Sequence, residues 1–195
     1  MSQAHAATFD ASTSTGIPSG KLGMWLFLAS EVMFFAGLLT AYIVLRMSNP
    51  AWPGSDGHLS VPMGTANTFV LICSSMTIVM ALAASEEGSI AGVRKWLGVT
   101  LLLGTAFLVI KGFEYKAKFS HHIFPSTNVF WSAYFTMTGL HALHVIGGLG
   151  FNLWVLTLTR SPAWSRRKHL LELAGLYWHF VDIIWIFLFP LLYLL

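Results

Sequence analysis

Two histidines pose the chemical question. In TGLHALHVIGG (138–148), His141 and His144 stand three residues apart in an apolar, glycine-rich run. On a helix that spacing puts them on one face. Imidazoles so placed can ligate a metal, ligate heme, relay a proton or hold helices together by hydrogen bonds. Other ionisable residues interrupt apolar runs as well. They are Glu31 in LFLASEVMFFAGLLTAY (26–42), Lys111 and Glu114 in KGFEY (111–115), and His179 and Asp182 in YWHFVDIIWIFLF (177–189). Glu172, Gly175, His179 and Asp182 recur at i, i+3, i+7 and i+10, again a single helical face.

Di-metal sites in helical bundles draw on Glu-x-x-His pairs. The sequence contains no such pair, and its carboxylates lie away from the His141–His144 segment. Bis-histidine heme needs facing imidazoles at one depth, which His144 and His179 nominally offer. Glu31 and Asp182 beside them suit charge-assisted hydrogen bonds to imidazole better. Two compatible readings therefore lead. Glu31, His141, His144, His179 and Asp182 form a structural polar network, or one or two of them also handle protons.

The elements that must position these groups follow from composition. Of 195 residues, 55% are hydrophobic and only 10% charged, where a soluble domain carries roughly a quarter. A mean hydropathy of +0.68 points the same way, to an integral membrane protein. The net charge of +3 is spread over loops and does not suggest nucleic acid; the lone Cys73 excludes an intrachain disulfide. Residues 1–20 are polar and lack the basic start of a secretory signal, so they read as a tail before a membrane domain at 21–195. A span needs about 20 mostly apolar residues. Five segments qualify, roughly 22–45, 66–84, 93–115, 128–158 and 171–195. The fold expected is an all-α, polytopic bundle of five transmembrane helices.

Basic residues set its direction. With the N-terminus in the cytoplasm and the C-terminus outside, Lys21, Arg94, Lys95, Arg160, Arg166, Arg167 and Lys168 collect on the inner side, against Arg46, Lys116 and Lys118 outside. At ~1.5 Å per residue, Glu31 lies about 14 Å deep, His179 about 12 Å, Asp182 about 17 Å and His144 about 21 Å. Lys111 and Glu114 form an expected polar pair near the outer interface. Arg166, Arg167 and Lys168 are candidate contacts for anionic lipid head groups. Trp25, Trp52, Trp96, Trp131 and Trp164 fall near span ends, as an interfacial aromatic belt would. Gly148, one turn after His144, marks the His face as a close helix contact.

Together the four quoted motifs, in order across about 21–195, closely resemble subunit III of the heme-copper oxidases. The resemblance implies a redox-silent chain that packs against and stabilises subunit I. It also implies support of proton uptake and slower turnover-linked inactivation. Heme and copper are then expected in subunits I and II, with none in this chain. It maps the family's membrane glutamate onto Glu31, its paired histidines onto His141 and His144, the WHFVD pair onto His179 and Asp182, and the FEY glutamate onto Glu114. The chain looks like the short, five-helix bacterial form, without two N-terminal helices, in the bacterial plasma membrane. A bound phospholipid and membership of a larger respiratory supercomplex fit this expectation. Glu31 and the intact YWHFVD favour a cytochrome c oxidase, which oxidises cytochrome c, reduces dioxygen to water and pumps protons. Quinol oxidase and a nitric-oxide-reductase-associated relative are the alternatives within the fold. The intramembrane acids and histidines alone equally suit a stand-alone proton or solute carrier.

Overall fold

The computed structural model describes residues 18–54, 59–162 and 164–195. Most of the tail assigned to 1–20 lies outside them. Five helices are long and apolar enough to cross a membrane: α1 (Ser19–Ser48), α2 (Val61–Glu86), α3 (Ile90–Ser120), α4 (Val129–Leu158) and the fifth span, His169–Leu194. That last span comprises α6 (His169–Phe189) and a closing π-helical turn, Pro190–Leu194, after the one-turn helix α5 (Trp164–Arg167). The expected all-α bundle of five spans is what the chain forms. The first three helices overrun the expected bounds at both ends, α3 by five residues past 115, because apolar run length measures hydrocarbon thickness and not the whole helix.

Local signals fix the turns. Gly88 adopts φ +76°, where a side chain is disfavoured, and lets Ser89 N donate to the Ala84 carbonyl at 2.8 Å. The Ser89 hydroxyl then caps α3 by accepting from Gly92 N, and the Asn128 side chain caps α4 by accepting from Trp131 N at 2.8 Å. Arg94 closes the other end of α4, donating to the Thr159 hydroxyl at 3.0 Å and carbonyl at 2.7 Å.

α6 is the most buried helix and α1 the least. Trp178 of α6 lies in a slot between α3 and α4. A Cβ on Gly104 would come within 2.7 Å of the Trp178 ring and one on Gly148 within 2.8 Å. The indole Nε1 donates to Ser74 Oγ of α2 at 3.0 Å. Two turns on, Trp185 Nε1 donates to Thr68 Oγ1 of α2 at 2.9 Å. Thr77 and Thr100 join α2 to α3 through hydroxyls 2.7 Å apart, and Tyr115 and Thr138 join α3 to α4. In contrast, α1 buries only Leu28, Phe35 and Tyr42, one residue every seven. Two polar contacts pin its ends: Lys21 with Glu172 of α6, and Arg46 with the Leu195 carbonyl.

Trp131 and Trp164 depart from the expected aromatic belt. Both are buried inside the protein, Trp131 at 1% exposure among Tyr134, Phe135 and the Lys118 ammonium. Enlarging the Trp178 slot residues should therefore be costly. Gly148→Val is expected to lower stability by about 1–3 kcal/mol through overpacking. Gly98→Ala, with nothing within 4 Å, should leave it unchanged or raise it by up to about 1 kcal/mol. Thermal unfolding of the two variants in one detergent distinguishes them.

Candidate functional site

The intramembrane polar residues do not form one network. They divide into separate sites, each set between different helices.

The first joins α1 to α4. His144 Nε2 lies 3.0 Å from Glu31 Oε2, and both side chains are about one-fifth exposed. His144 Nδ1 lies 2.8 Å from the Leu140 carbonyl, which can only accept. The network thus assigns the hydrogen of Nδ1 to that carbonyl, and Nε2 is the nitrogen that meets the carboxyl. Phe35 packs edge-on to the imidazole at 5.1 Å, and Tyr177 Oη donates to the His144 carbonyl at 3.1 Å.

His141 does not share this site. It is 1% exposed, its two ring nitrogens have no hydrogen-bond partner, and it lies between the rings of Phe107 (5.6 Å) and Trp185 (5.1 Å). Residues three apart on a helix differ by about 60° in azimuth. Across that angle His144 meets Glu31 of α1, whereas His141 meets Phe107 of α3 and Trp185 of α6.

The second site joins α6 to α2. His179 Nδ1 lies 2.6 Å from Ser75 Oγ. Asp182, 4% exposed, lines the same groove, yet neither carboxylate oxygen has a hydrogen-bond partner. The expected His179–Asp182 pair is thus a pair of neighbours that do not bond to each other.

The third site is larger than the sequence suggested. Lys111 Nζ and Glu114 Oε2 are 2.9 Å apart, but the pair is buried in the bundle and has more members. Lys118 Nζ sits 2.8 Å from Glu114 Oε1, and that oxygen also accepts from Tyr134 Oη at 3.0 Å and Tyr193 Oη at 2.7 Å. Lys111 adds contacts to both tyrosine hydroxyls and lies 4.7 Å from the Trp185 ring centroid. Lys118, counted among the basic residues of the outer side, is 3% exposed in the last turn of α3, over the rings of Trp131 and Tyr134. The i, i+3 spacing of Lys111 and Glu114 was readable in sequence. The i, i+4 spacing of Glu114 and Lys118 offered the same signal and was missed.

Arg166, Arg167 and Lys168 are exposed, on α5 and just after it. Among the described residues no group of three or more His, Cys, Asp or Glu side chains is arranged to hold a metal ion. An apolar groove of about 460 Å³ runs between α1 and α6, bounded by Trp25, Leu39, His179 and Phe187.

Fold and sites define a five-span membrane protein whose internal charges mostly cross-link helices. A family model described as cytochrome c oxidase subunit III matches residues 3–195. The protein "Cytochrome c oxidase subunit 3" of Corynebacterium diphtheriae is 38% identical over 177 residues, 89% of this chain and 86% of that one. Its namesakes from Synechocystis and Thermostichus vulcanus are 42% and 40% identical, with 89% of this chain covered and 74% and 86% of theirs. The chain belongs to the cytochrome c oxidase subunit III family.

Three variants test how the polar groups are spent. Glu114→Gln leaves two buried ammonium groups uncompensated and should cost about 3–5 kcal/mol, while Lys111→Met, which leaves the Lys118–Glu114 pair, should cost less. His144→Leu should weaken the seating of α1 by about 1–2 kcal/mol, the worth of an interhelical hydrogen bond in a membrane. Denaturant unfolding in detergent micelles, read by tryptophan fluorescence, measures all three.

Proposed function

We propose that the chain is the non-redox accessory subunit of an aerobic heme-copper oxidase in a bacterial plasma membrane. It packs against subunit I and steadies it, while subunits I and II carry heme and copper. The electron donor that best fits is cytochrome c, after which the relatives are named. The observation that carries this reading is the family match over 3–195, joined to the way the interior is used. The His144 nitrogens face Glu31 and the Leu140 carbonyl, and His179 Nδ1 faces Ser75. Imidazoles engaged in this manner brace helices.

In this reading the Glu31–His144 contact places a carboxyl and an imidazole in the membrane interior, which suits a supporting part in proton uptake by the neighbouring subunit. The N-terminus is cytoplasmic and the C-terminus outside. The placement of Lys118 inside the bundle supports this direction, since it removes one of the few basic residues counted outside. Arg166, Arg167 and Lys168 then face the cytoplasmic leaflet and meet anionic head groups. The groove between α1 and α6 takes a phospholipid acyl chain.

Purification in mild detergent followed by mass spectrometry of the co-purifying chains tests the assignment. Heme-bearing oxidase subunits are expected, and Glu31→Ala should shorten the catalytic lifetime of the complex without altering its heme spectra. A stoichiometric heme band in the isolated chain would overturn the reading. So would specific proton or solute flux through liposomes that contain this chain alone.

A further inference from the structure

Asp182 lies midway along the last span, thirteen residues after His169 and twelve before Leu194. It is 4% exposed, and both its oxygens lack a hydrogen-bond partner. Acidic groups at such depth nearly always have partners, because hydrocarbon offers none. The polar groups that line the groove with it are Ser75 of α2 and His179 of α6, already engaged with each other at 2.6 Å. No lysine or arginine lines it. The Ser75 hydroxyl also lies close to the Asp182 carboxyl, but His179 Nδ1 competes for it, so a donor from outside the chain would complete the site.

The shape of the groove indicates what brings it. Ile72, Met76 and Val79 of α2 form one wall at i, i+4 and i+7, and His179, Ile183 and Ile186 of α6 form the other at the same spacing. The five apolar residues among them are 44–65% exposed, with Ser75 and Asp182 between the walls. The trough holds about 430 Å³ and runs roughly 10 Å along the helices. Two ridges with helical periodicity and a polar floor are what an inserted helix meets. An acyl chain fills such a trough but carries no donor, and a lipid head group sits at the interface, far from this depth.

We propose that the α2–α6 groove is a docking surface for a transmembrane helix of a partner oxidase subunit, which presents an N–H or O–H side chain to Asp182. The proposal rests on the accessory-subunit reading above and names the face that reading requires. Ile72, Met76, Ile183 and Ile186 supply the packing, and Asp182 sets the register and orientation of the incoming helix. A single polar contact in an apolar seam specifies alignment more than it adds affinity.

The test uses the intact complex in native membranes. A photoreactive phenylalanine derivative is placed at Met76, at Ile186 and, as a control, at Leu102 of α3, which is 67% exposed and lines no part of the groove. Irradiation should link positions 76 and 186 to one span of a partner subunit, at a level carrying a donor side chain, and position 102 should not reach that span. In parallel, Asp182→Leu should reduce retention of this subunit in stringent detergent by about three- to twenty-fold, the range for an interhelical hydrogen bond, and Asp182→Asn by less. Adducts to lipid alone, or to a second copy of this chain, would overturn the proposal while co-purifying heme subunits left the accessory reading intact. Wild-type retention in Asp182→Leu would also overturn it. If no heme subunit co-purifies with the unaltered chain, both readings fall together.

Discussion

Hydrocarbon gives apolar helices no hydrophobic reason to associate, since lipid tails are as apolar as leucine. Cohesion must then come from close packing and from polar groups that find partners only in each other. Trp178 combines the two. Its ring occupies the space that Gly104 and Gly148 leave by having no side chain, and its indole N–H reaches Ser74. One residue on α6 thereby fixes its distance to α3 and α4 and its rotation against α2. Trp185 repeats the indole-to-hydroxyl contact two turns later with Thr68. Around this axis the remaining polar residues have little freedom, and their positions follow from where α6 holds the neighbouring helices.

That dependence explains what could be read in the sequence. The five spans were legible because their signal is local: apolar runs long enough to cross a bilayer, broken by SEEG and by basic or Pro-rich loops. Gly148 was legible as a close contact, since a glycine beside histidines in a span has few other uses. Its partner Trp178 was not, because nothing in the spacing of α6 reveals which neighbour a given face meets. Lys111 and Glu114 were readable as a helical pair. Tyr134 and Tyr193, which complete that cluster, lie 20 and 79 residues from Glu114 and are joined to it only by the fold. The histidines show the limit most clearly. Depth placed His141, His144, His179 and Asp182 in overlapping layers, but depth says nothing about azimuth. The azimuth sends His144 to α1, His141 to Phe107 and Trp185, and His179 to Ser75.

The sites differ in how they are closed. Glu114 accepts from two ammonium groups and two tyrosine hydroxyls, all buried, so this cluster is complete within the chain. Such a site is a clamp, tying α3 to α4 and to the closing turn at Tyr193. Glu31 and His144 are each about one-fifth exposed, bound across the most weakly packed helix. The same chemical elements, a carboxyl and a nitrogen base, serve rigidity in one place and adjustability in the other.

Glu31 lies between Leu28 and Phe35, two of the three buried residues by which α1 grips the bundle. Glu31 meets His144 there, so α1 is seated by a polar contact set within an apolar grip. Losing that contact leaves a carboxyl in the membrane interior without its partner, and the cost falls on the helix with the fewest buried contacts to resist it. The Glu114 cluster, Trp178 and Trp185 hold the other four spans by contacts that do not involve it.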